Sequence, residues 1–224
     1  TADLKGKKIG IIREYMGKGV QDDVRATIGN TIEKLKAAGA EIVDVSLPSL
    51  PLALAVYYII CPAEVSSNLS RYDGQRFGFS AEEATTLEES FAKTRAQGFG
   101  AEAKRRIMIG TYVLSSGYYD AYYRKAQTVR TKLINEYDAA FEKVDFLLGP
   151  TAPSTAFKIG ENTQDPLQMY LNDIMTVAAN LAGIPAISIP VGASNGLPIG
   201  LQLMADQKQD RQLLATAKAV EALI

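Results

Sequence analysis

KKIGIIREYMGKGVQDDVRATIGNTIEKLKAAGAEIVDVSLP, residues 7–48, decides the fold class of this chain. The apolar run KKIGII at its start predicts a buried strand. Four apolar positions then recur on one face at helical spacing: Val24, Ile28, Ile32 and Leu35. Gly39 supplies a C-terminal stop for this helix, and EIVDVSLP predicts a second strand. Strand, helix and strand within about forty residues indicate a βαβ unit with a right-handed crossover.

The rest of the chain alternates helical and strand patterns. Helices are predicted over residues 50–69, 81–96, 101–116, 118–143, 166–181 and 210–223, with a bend or new turn at Pro62. The last helix is expected to turn four side chains inward: Leu213, Leu214, Ala217 and Val220. DFLLGPTAP predicts another buried strand, and two further strands flank Asn195-Gly196, a pair typical of a tight hairpin. These elements predict an α/β fold in which α-helices cover a mixed β-sheet.

Composition limits the chemistry that this chain can perform. Its 24 basic and 25 acidic residues leave a formal net charge of −1, and no basic block predicts direct nucleic-acid binding. The chain has no histidine. This excludes, on this chain alone, a Ser-His-Asp triad, a Cys-His pair and any metal site with a histidine ligand.

Cysteine content and hydropathy indicate the cellular compartment in which the protein is expected. Cys61 is the only cysteine, so no intrachain disulfide can form and a reducing compartment is expected. Its position beside Ile59 and Ile60 predicts a small buried apolar side chain. No apolar run in the sequence approaches the roughly 20 residues that a membrane-spanning helix needs.

Two charged residues stand in apolar surroundings. Arg106 shares a helical face with Gly110 and Val113, whereas its neighbour Arg105 is interpreted as a solvated helix end. Asp173 sits in LNDIMTVAANLAG, with apolar residues on most sides. Buried charges require a partner of opposite charge, from the protein or from a ligand. Both residues are therefore candidates for ligand binding.

Two other motifs are interpreted as structural. The glycines in KGKKIGIIREYMGKGV match neither nucleotide-binding pattern, GxGxxG or GxxxxGK[ST]. Ser115 and Ser116 lie near the end of a helical pattern, where hydroxyls commonly bond to the preceding turn. No neighbouring base could activate them as nucleophiles. The tyrosines that follow are expected to pack in or around the core.

Several long stretches together resemble the C-terminal half of the amidase-signature family. They are GTYVLSSGYYDAYYRKAQTVR, GPTAPSTAF, DPLQMYLNDIMTVAANLAGIPAISIP and SNGLPIGLQLMA. The run YYIICPAEVSSNLSRYDGQRFG is similar to one branch of that family, the glutamine-hydrolysing subunits of tRNA-dependent amidotransferases. The resemblance covers nearly the whole chain, residues 1–224. It implies a single C-terminal region without the catalytic half.

The resemblance implies that one half of the protein carries the catalytic residues and the other half binds substrate. Family members use a Ser–cis-Ser–Lys triad that lies in a Gly-Gly-Ser-Ser-Gly-Gly-type segment and at a lysine well before it. Neither part is present here, so the resemblance implies no catalytic residue on this chain and no activity for it alone. It implies that Tyr57, Arg106 and Asp173 bind the glutamine substrate.

The resemblance also implies partners. Ammonia from glutamine passes to a B subunit, which uses ATP and Mg to convert Glu-tRNA(Gln), and a small C subunit completes the complex. No cofactor on this chain, no membrane and only indirect contact with tRNA are expected, in the bacterial cytoplasm or an organellar matrix. The isolated half is expected to self-associate through exposed sheet edges. Two alternatives stay open: another amidase-signature amide hydrolase, or a non-catalytic binding or assembly module.

Overall fold

The computed structural model describes residues 3–161 and 166–224, with side chains over 3–161 and 169–224. Over these ranges the chain forms two compact units. The larger unit contains Thr1–Leu54 and Val129–Ile224, and the smaller unit is Ala55–Thr128. Each unit has its own set of internal contacts and is described by itself.

The larger unit is built on a five-stranded mixed β-sheet with the strand order β2-β1-β3-β5-β4. Its strands are β1 (Lys8–Ile12), β2 (Glu41–Val45), β3 (Phe146–Pro150), β4 (Ala186–Ser194) and β5 (Leu197–Met204). Strand β1 pairs in parallel with β2 and β3, and β5 pairs antiparallel with β3 and β4. The predicted α/β class with a mixed sheet is confirmed.

Helix α1 (Asp22–Ala37) connects β1 to β2 and follows its apolar stripe. All four stripe residues are buried: Val24, Ile28, Ile32 and Leu35. Gly39 follows the helix with a φ of 92°, a left-handed conformation that a side chain would disfavour. The β4–β5 turn at Asn195 and Gly196 also has positive φ, 50° and 79°, as a two-residue hairpin requires.

The predicted helix over residues 166–181 is wrong, because the structure divides it. Helix α6 (Pro166–Leu171) and helix α7 (Val177–Ala182) flank a turn at residues 172–176. In that turn the amides of Asp173, Ile174 and Thr176 each bond to a carbonyl three residues earlier. Such bonds tighten the backbone and end the regular helix.

Helix α8 (Asp210–Glu221) ends the larger unit. Leu213, Ala217 and Val220 are buried as expected, whereas Leu214 is 58% exposed. The inward prediction for Leu214 is wrong because it lies one residue, about 100° of helical rotation, from the buried stripe.

The smaller unit is helical. It contains most of α2 (Ala53–Asn68), all of α3 (Leu87–Gly98) and α4 (Ala101–Leu114), and the start of α5 (Lys125–Phe141). Helix α2 is continuous through Pro62, where a bend or a new turn was predicted. Helix α3 begins six residues later than predicted because Thr86 caps it, its hydroxyl accepting from the Glu89 amide at 3.1 Å.

The segment Leu50–Arg71, which contains α2, is long and apolar. It spans 22 helical residues and contains an 18-residue window with a mean hydropathy of 1.4, enough by length and composition to cross a membrane. The expectation that no run approaches this length is therefore wrong for this segment. Core helices of globular proteins pass the same test, so length and composition do not decide its environment.

Candidate functional site

The guanidinium of Arg106 is held by a carboxylate on its own helix. Its Nε donates to Oε1 of Glu102, one turn earlier on α4, at 2.9 Å. The Arg106 side chain is 23% exposed, whereas that of Arg105, which pairs with Oε2 of the same carboxylate, is 46% exposed. The prediction that Arg106 points toward packed structure and needs an acidic partner is confirmed. Its protein partner is Glu102, which the interpretation of the sequence had missed although the i, i+4 spacing signals it.

Helix α2 supplies the other contacts of this guanidinium. The central carbon of Arg106 lies 5.6 Å from the centre of the Tyr58 ring, a cation–π distance. Its Nη1 lies 3.7 Å from Sγ of Cys61. Tyr57 and Tyr58 pack edge to face with ring centres 5.0 Å apart. Cys61 is half-buried and its sulfur meets a cation, so the prediction of a small buried apolar side chain is wrong.

The titration of Tyr57 and Arg106 reflects this arrangement. Burial is the main reason that the pKa of Tyr57 is raised, and a hydrogen bond with Cys61 raises it further. A hydrogen bond with Arg106 lowers that pKa but does not cancel the rise. Burial lowers the pKa of Arg106, but hydrogen bonds with Glu102 and Tyr57 more than offset it, so that pKa is raised. At neutral pH the pair therefore offers a cation beside a protonated phenol, which can donate a hydrogen bond.

A glycine brings the two helices together. Gly110 lies on α4 one turn after Arg106, and a Cβ on it would fall 1.9 Å from the carbonyl oxygen of Pro62 on α2. Only a residue without a side chain permits this approach. The contact lies just beyond Cys61 on α2, and so it sets the spacing between Arg106 and the tyrosines.

Asp173 lies in the larger unit, in the turn between α6 and α7. Asp173 is half-buried, and its backbone carbonyl accepts hydrogen bonds from the amides of Thr176 and Val177 at 3.0 and 3.1 Å. These bonds place Asp173 in the turn that leads into α7 rather than inside a helix. Of the three predicted site residues, the structure brings Tyr57 and Arg106 together in the smaller unit and places Asp173 in the larger one.

The Ser115 hydroxyl makes a hydrogen bond to the backbone at the end of its own helix. It donates to the carbonyl of Tyr112 at 2.7 Å, which confirms the prediction of a bond to the preceding turn. The tyrosines that follow do not pack into a core: Tyr118, Tyr119 and Tyr122 are each more than 40% exposed. Tyr123 is half-buried and its hydroxyl donates to Glu64 on α2 at 3.0 Å. That hydrogen bond ties the segment to α2.

The larger unit holds a cavity of about 350 Å³ at the β4–β5 end of the sheet, lined by both polar and apolar side chains. The hydroxyls of Thr151 and Ser188 lie 2.7 Å apart there, and the buried Gln202 donates to the carbonyl of Met175 at 2.7 Å. The two hydroxyls thus bond to each other, and the Gln202 amide bonds to the backbone. Among the described residues, no three His, Cys, Asp or Glu side chains lie close enough to hold a metal ion.

Comparison with known proteins supplies the family. The amidase family model matches residues 1–214. Over 220 residues the chain is 56% identical to the glutamyl-tRNA(Gln) amidotransferase A subunit of Thermosynechococcus vestitus, covering 98% of this chain and 46% of that protein. It is 50% identical over 219 residues to the corresponding A subunit of Staphylococcus aureus, covering 98% of this chain and 45% of that protein.

A solved structure gives the same result for the fold. The glutamyl-tRNA(Gln) amidotransferase A subunit of Thermotoga maritima superposes with a TM-score of 0.74 at 38% identity, over 98% of this chain and 43% of that one. The chain thus spans about half the length of the relatives it matches. Since the family model covers nearly all of its residues and the fold is shared, the chain belongs to the amidase family.

Proposed function

We propose that this chain is the glutamine-recognition region of the amidase subunit of a tRNA-dependent amidotransferase. One observation carries the proposal: a half-buried guanidinium, Arg106, is held beside the protonated phenol of Tyr57 within the smaller unit. The relatives at 50–56% identity, which carry the name of the glutamyl-tRNA(Gln) amidotransferase A subunit, support glutamine as the substrate class.

The chemistry of glutamine fits these residues. Its α-carboxylate requires a cation with a planar donor pair, which an arginine provides. Tyr57 donates a further hydrogen bond and lines the site with its ring. The α-ammonium group requires an anion, and Asp173 is the proposed one. Selection of an α-amino acid thus depends on opposite charges at its two α-substituents, and the carboxamide is left for the reaction.

Nucleophile and base are proposed to lie outside this chain. The chain contains no histidine, and the Ser115 hydroxyl is already bonded to a backbone carbonyl. The resemblance to the family assigns these roles to the Ser–cis-Ser–Lys triad of the other half. Substrate that is positioned without a nucleophile does not react covalently, so we expect the isolated chain to be inactive.

In the complete enzyme, ammonia from glutamine would pass to the B subunit, with the C subunit as a further partner. ATP and Mg would be used by the B subunit, and tRNA would meet this chain only through the complex. The setting would be the bacterial cytoplasm or an organellar matrix. The charge balance of the chain, with no basic block, supports indirect rather than direct tRNA contact.

Ammonia release from glutamine tests this function. It is measured for the purified chain alone and for a full-length amidase that carries this region. We expect no release above buffer for the chain alone, and release that saturates with glutamine for the full-length protein. Turnover by the chain alone that follows the protein through purification would contradict the proposal and make Ser115 the first residue to replace.

The same assay distinguishes the rival functions. A full-length protein that prefers simple aliphatic or aryl amides to glutamine would be another amide hydrolase. One that hydrolyses no amide but still binds its partner subunits would be an assembly module. Either result would overturn glutamine recognition as the role of Arg106 and Asp173.

A further inference from the structure

The Arg106 guanidinium is engaged differently along its two edges. Its Nε is bound to Oε1 of Glu102 at 2.9 Å, whereas Nη1 lies 3.7 Å from the sulfur of Cys61 and the guanidinium also meets the Tyr57 hydroxyl. A thiol sulfur is a weak acceptor, whereas a carboxylate oxygen is a strong one. A neutral phenol oxygen is also a weaker acceptor than a carboxylate, so a ligand carboxylate can take the Nη1–Nη2 edge in place of these neutral contacts.

We infer that Glu102 is a positioning residue, which occupies Nε of Arg106 and so presents the Nη1–Nη2 edge to the α-carboxylate of the substrate. This inference rests on the proposed glutamine-recognition role of Arg106. Glu102 itself does not touch substrate in this arrangement. It acts through the orientation of the guanidinium, and it is therefore a specificity determinant for substrates that carry an α-carboxylate.

The surroundings of Arg106 support a fixed orientation. Glu102 holds Nε, Tyr58 lies with its ring centre 5.6 Å from the central carbon, and the sulfur of Cys61 lies 3.7 Å from Nη1. An arginine side chain that is ordered before binding loses less rotamer entropy when the ligand arrives. Without Glu102 the same side chain would have to be ordered by the substrate itself.

The charge on Glu102 is compatible with an anionic ligand nearby. Its two oxygens are shared between two guanidinium groups, Oε1 with Arg106 and Oε2 with Arg105. Two cations around one carboxylate leave a net positive cluster at this end of α4. Glu102 is thus paired and does not repel a substrate carboxylate at Arg106, and the charge of Arg105, which is nearly half exposed to solvent, adds little to the attraction.

An exposed i, i+4 ion pair can also be a plain helix contact, and substrate choice separates the two roles. γ-Aminobutyramide is glutamine without its α-carboxylate. If Glu102 acts through the Arg106–carboxylate contact, its removal impairs only glutamine hydrolysis. A general effect on folding or on the reaction would impair the hydrolysis of both amides equally.

The experiment uses a full-length amidase that carries this region, with Glu102→Ala, Glu102→Gln and the matched control Arg105→Gln. We expect Glu102→Ala to raise the KM for glutamine about tenfold with kcat within about twofold. Glu102→Gln should recover most of this loss, since its amide oxygen still accepts from Nε. Arg105→Gln should keep the glutamine KM within about twofold, and γ-aminobutyramide kinetics should not change in any variant.

Two results would overturn the role of Glu102 while leaving the proposed function intact. One is an unchanged glutamine KM in Glu102→Ala when Arg106→Ala raises it. The other is an equal loss on both amides. If Arg106→Ala itself leaves the glutamine KM unchanged, the proposed function fails first, and the inference on Glu102 fails with it.

Discussion

The carbonyl oxygen of Pro62 occupies the space where a side chain on Gly110 would begin. A Cβ at Gly110 would lie 1.9 Å from that oxygen, so α2 and α4 touch through backbone atoms. Arg106 lies one turn before this contact on α4, and Cys61 lies just before it on α2. The spacing of the proposed carboxylate-binding residues thus depends on a position that carries no functional group.

Replacement of Gly110 by alanine should destabilise the smaller unit. Overpacking of this kind costs about 2 kcal/mol, of which the better helix propensity of alanine offsets up to about 1 kcal/mol. Gly29→Ala in α1 is the matched control, because nothing lies within 4 Å of the Cβ it would introduce. Urea unfolding should show a loss of stability for Gly110→Ala and a gain for Gly29→Ala. Similar shifts in both variants would argue against the close contact.

Arg106 is expected to determine glutamine binding rather than turnover. In a full-length amidase, Arg106→Ala should raise the KM for glutamine about 30-fold or more, because a charge-assisted double hydrogen bond is lost. Arg106→Lys should raise it about tenfold, since the charge remains but the planar fork does not. Steady-state kinetics measure both effects, with Arg105→Ala as the control. A lysine variant with the parent KM would show that charge alone suffices.

Asp173 is expected to bind the α-ammonium group of glutamine. Asp173→Asn should raise the KM for glutamine about tenfold, because a neutral amide replaces the anion. The hydrolysis of glutaramate, which lacks the α-amino group, should be nearly unchanged in the same variant. The exposed Asp138→Asn, also in the larger unit, is the control. Equal losses on both substrates would assign Asp173 a structural role in the turn that leads into α7.

A buried tyrosine pair should make the larger unit sensitive to alkaline pH. Tyr15 and Tyr137 are 2% and 0% exposed, and neither hydroxyl has a well-aligned hydrogen-bond partner among the described residues. Burial is the main cause that raises the pKa of each phenol above its ordinary value of 10.0. Above about pH 10 the unfolded chain therefore releases protons that the folded chain keeps, and stability falls as pH rises.

Urea unfolding between pH 9 and pH 11 measures this effect. Each buried phenol should contribute a loss of up to about 1.4 kcal/mol per pH unit above pH 10. Tyr137→Phe should remove about half of the contribution of the pair and the double variant with Tyr15→Phe all of it. A double variant with the parent slope would show that the loss arises at other tyrosines.

Local sequence patterns predicted the elements whose stability is local. The stripe from Val24 to Leu35 is buried as its spacing requires, and Asn195-Gly196 forms the β4–β5 turn because both residues tolerate positive φ. The same patterns failed at residues 172–176, where Ile174 and Met175 continue the apolar pattern between two helical stretches although the helix stops. The spacing of apolar residues predicts which face of a helix is buried. It does not predict where a tight turn interrupts the helix.

By itself, then, the sequence determined the α/β class, the βαβ start and the absence of histidine-based chemistry, because each follows from neighbouring residues or from composition. Tertiary structure alone decided that Arg106, with Glu102 on its own helix, meets Tyr58 and Cys61, about 45 residues earlier in the chain. It also decided that Asp173 lies in a turn of the other unit. Contacts between distant residues depend on how helices pack, and here that packing depends on a glycine whose role no local pattern reveals.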